Sequence, residues 1–231
     1  METKGLVYYT SHNCSEEIIL RVQRNLLEVS EYPIVSVSLK PIRFGINIVL
    51  NLEQSPLTMY KQILKGLETI DTDIVFLVEH DVLYPKCHFE FTPPTKDKFY
   101  YNLNWWKVRV TDGQAIQWKA VQVSGLCAYR ELLIEHYKER VRRTKRRFSN
   151  RVGFEPGLHQ FPRGIDNYQL ETWWSDEPCL DISHGTNVTK TRFALNDRLE
   201  NVILSDTVPF WGQTKGRFDE FLKGLGESYN E

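Results

Sequence analysis

The chain has 231 residues, 41% of them hydrophobic and 13% aromatic, and a formal net charge of −1. That is the profile of a folded protein with a sizeable core, and it excludes a disordered or collagen-like chain. The net charge assigns no partner, but its distribution is uneven: residues 138–147 hold seven basic side chains and one acidic one.

Gly5 to Tyr9 reads as a first strand, followed by the polar loop Thr10-Ser11-His12-Asn13. Asn13 with Glu16 makes a capping-box pattern, and Ile18, Ile19, Val22, Leu26 and Val29 form one helical stripe. Pro33 to Leu39 alternates as a second strand, and Phe44 to Leu50 reads as a third beyond the basic turn that ends in Arg43. Ser55-Pro56 is a helix start, with Ser as N-cap and Pro at the first helical position.

The unbroken apolar run Ile74 to Val78 reads as a strand buried on both faces, and it leads into Glu79-His80-Asp81. In an extended chain residues two apart project together. Glu79 and Asp81 would then repel unless a hard cation such as Mg²⁺ or Mn²⁺ joined them. A polar turn closing a core strand is the plain alternative. Strand and helix alternate up to this point, which predicts a doubly wound, mostly parallel sheet in one domain, with residues 1–92 as its first half and 93–231 as its second. Ligands bind such sheets outside the carboxyl ends of the strands. Thr10, Ser11, His12 and Asn13 would therefore lie beside Glu79 and His80, where a nucleotide fits. Neither G-x-G-x-x-G nor a P-loop is present.

Beyond Pro93-Pro94, Phe99 to Val110 is aromatic and β-rich, and Asp112-Gly113 predicts a hairpin into Ala115 to Val123. A helix from about Arg130 runs into the basic segment. Gly164 to Trp174 has the pattern of a short helix with Asp166 at its start, either a base or a plain N-cap. Cys179 to Ser183 is a late strand ending at His184, and a short helix is expected around Phe218 to Leu222. The four cysteines (Cys14, Cys87, Cys127, Cys179) are widely spaced, which fits reduced core thiols better than a disulfide frame or zinc site. No stretch approaches the roughly 18 apolar residues of a membrane span, so a cytoplasmic protein is expected. No protein partner is indicated.

In this order, the elements resemble glycosyltransferases of the GT-A fold. Glu79-His80-Asp81 resembles their acidic D-x-D-type motif, with Glu in place of the first Asp. Gly164-Ile165-Asp166 resembles their base motif in position, although Ile165 is not acidic. His184 resembles the histidine that completes the metal site. The segment His184 to Thr189 and Trp211-Gly212 are also similar to small enzymes of phages and of the group associated with TET/base-J oxygenases, which glycosylate hydroxymethylated pyrimidines in DNA.

The resemblance implies a nucleotide-sugar donor, UDP-linked first of all, and Mn²⁺ or Mg²⁺ held by Asp81, His184 and Glu79. It implies Asp166 or Glu171 as general base, with inversion of the sugar. Arg43 joins the donor side. For the acceptor, Arg140, Arg142, Arg143, Lys145, Arg146 and Arg147 suit a DNA backbone, or form a solvated helix end. Trp105 and Trp106 are placed either to stack on a base or in the core. A nucleotidyltransferase and a non-catalytic nucleic-acid-binding module are the competing classes.

Overall fold

The computed structural model describes residues 2–117, 119–146, 155–157, 169–184, 203–216 and 218–224. Its first half follows the expected alternation. Strand β1 (Lys4–Thr10) leads to helix α1 (Glu16–Val29), strands β2 (Ile34–Ser38) and β3 (Ile46–Val49), helix α2 (Pro56–Thr69) and strand β4 (Ile74–Glu79). A turn at His80-Asp81 precedes the short β5 (Val82–Leu83) and α3 (Lys86–Glu90). Then come β6 (Phe99–Asn102), β7 (Trp105–Arg109), β8 (Ala115–Gln117), β9 (Leu126–Tyr129) and α4 (Arg130–Arg146). The last described elements are β10 (Leu170–Trp173), β11 (Cys179–Ser183), β12 (Leu204–Ser205), the β13–β14 ladder (Thr207–Val208 with Gly212–Gln213) and α5 (Phe218–Gly224).

The central sheet has seven strands in the order β10-β6-β9-β4-β1-β2-β3. It is mostly parallel; β9 alone runs against both of its neighbours. A five-stranded sheet, β12-β8-β7-β11-β5, lies beside it. Strand periodicity sorts the core into two layers. Leu6 and Tyr8 of β1 pack with Ile18, Val22 and Leu26 of α1 and with Trp105, Leu180 and Ile182 of the second sheet. Val7 and Tyr9 pack with Tyr60, Ile63 and Leu67 of α2 and with Leu133 and Tyr137 of α4. Helix α2 lies so close to β1 that a Cβ on Gly66 would sit 2.4 Å from Val7 Cγ1.

Ser15, not Asn13, caps α1, its hydroxyl accepting from Ile18 N at 3.4 Å. Ser55 caps α2 with Pro56 at the first position, as expected. The aromatic segment divides at Leu103-Asn104, so β6 joins the central sheet and β7 the smaller one. Asn102 makes this division possible: its Oδ1 accepts from Asn104 N at 2.9 Å and its carbonyl from Trp105 Nε1 at 2.6 Å. Gly113 turns the β7–β8 hairpin at φ 72°, where a Cβ would strike the Thr214 carbonyl.

Two expectations are corrected. Strand β9 is absent from the sequence reading, because a four-residue apolar run abutting a helix has no periodicity of its own. Residues 170–173 form an edge strand on β6 rather than helix; residues 164–168 lie outside the described residues.

Candidate functional site

Strands β1 and β4 are parallel, with Tyr9 opposite Glu79, so the loop after β1 and the turn after β4 share one edge. The loop is pinned from below: Gln62 Nε2 donates to Thr10 O at 2.8 Å and to Val37 O at 3.0 Å. Thr10 Oγ1 accepts from His12 N at 3.0 Å, and His12 takes a left-handed conformation with φ 58°. Asn13 then reaches the turn, its Oδ1 lying 3.0 Å from His80 Nε2. With Oδ1 as acceptor, Nε2 carries the proton and Nδ1 keeps its lone pair. That Nδ1 is buried, and the Tyr9 backbone acts on the ring.

From the other side comes β11. It runs antiparallel to β5, with Asp181 opposite Val82, and Ile182 N donates to Asp81 O at 2.7 Å. This pairing delivers His184, whose Nε2 lies 3.3 Å from Asp81 Oδ2 although 103 residues separate them. Both are buried, at 8% and 6% exposure. The His80 and His184 rings are 6.0 Å apart. Cys14 completes a group with them: one ligand atom from each of Cys14, His80 and His184 lies within 4.8 Å of the others.

Glu79 and Asp81 take different hydrogen-bond partners but share the charge of Lys107. The strand ends at Glu79, and the turn redirects Asp81. Glu79 accepts from the Tyr9 hydroxyl, and Asp81 faces His184. They remain electrostatically close. Burial first, and then the charge of Asp81, push the Glu79 carboxyl well above the usual range. Burial alone would raise Asp81, but His80 and His184 outweigh it and hold it below its ordinary value.

A third carboxylate, Asp181 of β11, is raised by burial and by Asp81, and is steadied by Lys107 Nζ at 2.7 Å. Lys107 in turn is held protonated by Asp181, Asp81 and Glu79 against its own burial. His80 and His12 are both shifted down by burial, His12 further by its neighbour His80. They are neutral at physiological pH and available as ligands.

Sequence reasoning missed Tyr9, Cys14, Lys107 and Asp181. A signal existed for one of them: Asp181 interrupts the apolar strand Cys-Leu-Asp-Ile-Ser. Cys14, expected as a core thiol, is instead half-buried at the site; Cys127 and Cys179 are the buried pair.

Several expected residues are not brought here. Glu171 is exposed on the edge strand β10, three places from β4 in the sheet, and is paired with Lys98 at 2.5 Å. Trp105 and Trp106 are core residues at 0% and 5% exposure, so neither offers a stacking face. They are covered because β7 lies between β8 and β11, inside the smaller sheet. Arg140 is buried against α2, its guanidinium over the Tyr60 ring and its Nε donating to His136 at 2.6 Å. Arg142 and Arg143 both pair with Glu139. Lys145 and Arg146 lie in the last turn of α4, with side chains outside the described set; Arg147 and Asp166 are outside the described residues. Arg43 is exposed on the loop between β2 and β3.

No family model matches the chain, and no curated protein matches it in sequence. In structure it resembles the glycosyltransferase GlyE of Streptococcus pneumoniae TIGR4, with a TM-score of 0.53 at 8% identity over 99% of this chain. The chain spans 64% of that enzyme's length, less than two thirds. A Drosophila β-1,4-galactosyltransferase 7 mutant in complex with manganese, UDP-Gal and xylobiose overlays at a TM-score of 0.39, with 12% identity over 86% of this chain and 76% of that one. At these identities the likeness to GlyE is one of fold. The mixed α/β architecture with its mostly parallel central sheet is shared with that glycosyltransferase.

Proposed function

We propose that this protein is a metal-dependent glycosyltransferase, moving a sugar from a nucleotide-diphosphate sugar to a hydroxyl. One observation carries the reading: Asp81 and His184 meet at 3.3 Å on the carboxyl edge of the parallel strands, beside the loop after β1. Three buried carboxylates (Glu79, Asp81 and Asp181) face one lysine, Lys107, there. Asp81 is held in its charged form, and a cation there would favour the charged forms of the raised Glu79 and Asp181 carboxyls as well.

Asp81 and His184 would hold the ion, Mn²⁺ or Mg²⁺ in the first assignment, with Glu79 nearby and fixed by the Tyr9 hydroxyl. When bound, it neutralises charge growing on the leaving phosphates, a contribution of several kcal/mol. The loop from Thr10 to Asn13 positions the nucleotide by its polar groups and backbone. Asp166 is assigned as the base that removes the acceptor proton, worth about 10²–10⁴-fold, and a base on the face opposite the leaving group would invert the sugar. Glu171, tied to Lys98 on a far strand, is the weaker candidate.

The acceptor assigned first is a hydroxymethylpyrimidine in DNA, on the strength of the basic run. That support is smaller than the charge count along the segment, because Arg140 is buried and Glu139 engages both Arg142 and Arg143.

The test is thermal unfolding with UDP-sugars and other nucleotide sugars, each with and without Mn²⁺ or Mg²⁺, followed by turnover on hydroxymethylated DNA and simple glycoside acceptors. Linkage raises stability only for what binds the folded state. A rise that needs both donor and cation, with nucleoside diphosphate released on turnover, supports the reading. Equal donor binding in EDTA would overturn it, and release of pyrophosphate would point to nucleotidyl transfer instead.

A further inference from the structure

We propose that the cation site is built from Cys14, His80 and His184, and that it selects a borderline ion of the Zn²⁺ or Co²⁺ class over Mg²⁺. The inference rests on the cation read at this edge above, and not on sugar transfer, and it moves Asp81 from ligand to the group that holds His184.

The three donors come from three separate elements, so no local sequence pattern brings them together. Cys14 lies one residue before the N-cap of α1, His80 in the turn after β4, and His184 at the end of β11. Their ligand atoms nevertheless lie within 4.8 Å of one another. Each imidazole is held by a second group. Asn13, next to Cys14 in the same loop, orients His80, and Asp81 contacts His184. Metal-bound histidines ordinarily have their other ring nitrogen fixed in this way by a carboxylate or carbonyl oxygen.

The donor types then decide the ion. Mg²⁺ takes oxygen ligands in strict octahedral geometry and releases water reluctantly. One thiolate and two imidazoles suit Zn²⁺ or Co²⁺, with bonds of about 2.3 Å to sulfur and 2.0–2.1 Å to nitrogen. Three protein ligands leave the fourth position open, as in a catalytic rather than a structural site. A phosphate oxygen of the donor is the ligand that position would take.

The test uses the metal-free full chain and Co²⁺ as a spectroscopic probe. The expected result is a near-ultraviolet thiolate-to-cobalt charge-transfer band together with tetrahedral d–d absorption. Zn²⁺ should displace the cobalt, and Mg²⁺ in large excess should not. Cys14→Ser should lose the charge-transfer band and bind Zn²⁺ on the order of 10–100-fold more weakly. His80→Asn should weaken binding while retaining the band. The Zn²⁺-against-Mg²⁺ competition needs no variant, so it decides the matter if Cys14→Ser fails to fold. A band that survives Cys14→Ser, or Mg²⁺ displacing cobalt at comparable concentration, would overturn the proposal and leave sugar transfer standing. A thiolate site confirmed by cobalt, in a protein that turns over no nucleotide sugar with any ion, would do the reverse.

Discussion

Two clusters of histidine and cysteine among the described residues differ in what surrounds them. At the edge of β1 and β4, Cys14, His80 and His184 sit among Glu79, Asp81, Asp181 and Lys107. Under α3, His88 and Cys179 sit among rings, with Phe76, Tyr84, Phe89, Trp105 and Trp173 within 6.5 Å of the His88 centroid. There His88 Nδ1 is tied to its neighbours, while its Nε2 is buried among the rings with no partner. Asn102 Nδ2 approaches His88 Nδ1 at 3.0 Å and Ser175 Oγ at 2.7 Å, and Cys179 Sγ lies 3.5 Å from the same imidazole nitrogen. Burial holds His88 neutral, with its pKa pushed down to about 3. The same residue types thus make a closed packing element in one place and a charged, coordinating edge in the other. Neighbouring carboxylates, rather than histidine and cysteine themselves, mark the candidate site.

The comparison breaks most sharply at His184 and Asp81. His184→Ala is expected to abolish cation-dependent stabilisation and turnover together, and Asp81→Ala to weaken cation binding by at least about 10–100-fold, measured by calorimetric titration. Full cation response in Asp81→Ala would erase the distinction between the clusters.

His88→Ala should do the opposite. It opens a cavity among five rings and removes a partner of Asn102, so stability should fall by about 2–5 kcal/mol with cation affinity unchanged. Urea unfolding measures the loss. The same residue gives a pH signature. Its folded pKa lies below the unfolded value, so the unfolded chain binds the proton first as the medium acidifies. Stability is therefore full above about pH 6.5 and declines toward pH 3, by up to about 1.4 kcal/mol per unit for each such histidine. His136, also near 3 through burial and its arginine neighbours, adds to the slope. In His88→Ala that slope should shrink, and an unchanged slope would count against a neutral buried His88.

Glu79→Gln sharpens the contrast from the site's side. Its carboxyl is raised by burial and by Asp81, so its charge is a burden in the metal-free protein. The neutral amide should raise the stability measured by urea unfolding at pH 7, by on the order of 1 kcal/mol, while lowering cation affinity. A lower stability would mean that the Tyr9 hydrogen bond outweighs the repulsion. The smallest effect is expected on α4. Changing Arg142, Arg143 and Arg146 to Gln should leave stability within about 0.5 kcal/mol and donor binding unaltered. Any salt dependence of DNA binding should soften by at most about three in slope, one for each arginine that no longer neutralises a phosphate. An unchanged slope would leave the run as a solvated helix end.

Much of this is legible in the sequence. The apolar run at Ile74–Val78, the Ser55-Pro56 start and the Asp112-Gly113 turn are local signals with local causes, and each lies where expected. Strand β10 in the place of a helix shows the limit. Leu170–Trp173 pairs with β6 residue by residue, and that partner is about 70 positions away in the chain. The basic run meets the same limit. Charge counted along a helix says nothing about which side chain faces α2, and Arg140 does.

By itself, the sequence determined the alternation of strands and helices, and with it the edge where Glu79-His80-Asp81 and the loop after β1 must meet. Periodicity and capping act over a few residues, and parallel strands point their carboxyl ends one way. Only the tertiary structure decided which side chains converge there. The turn at His80-Asp81 gives Glu79 and Asp81 different hydrogen-bond partners, Tyr9 and His184. The antiparallel seat of β11 on β5 brings in Asp181 and His184, and the entry to α1 brings in Cys14. Those placements depend on register between distant strands, which packing sets and no short stretch of sequence encodes.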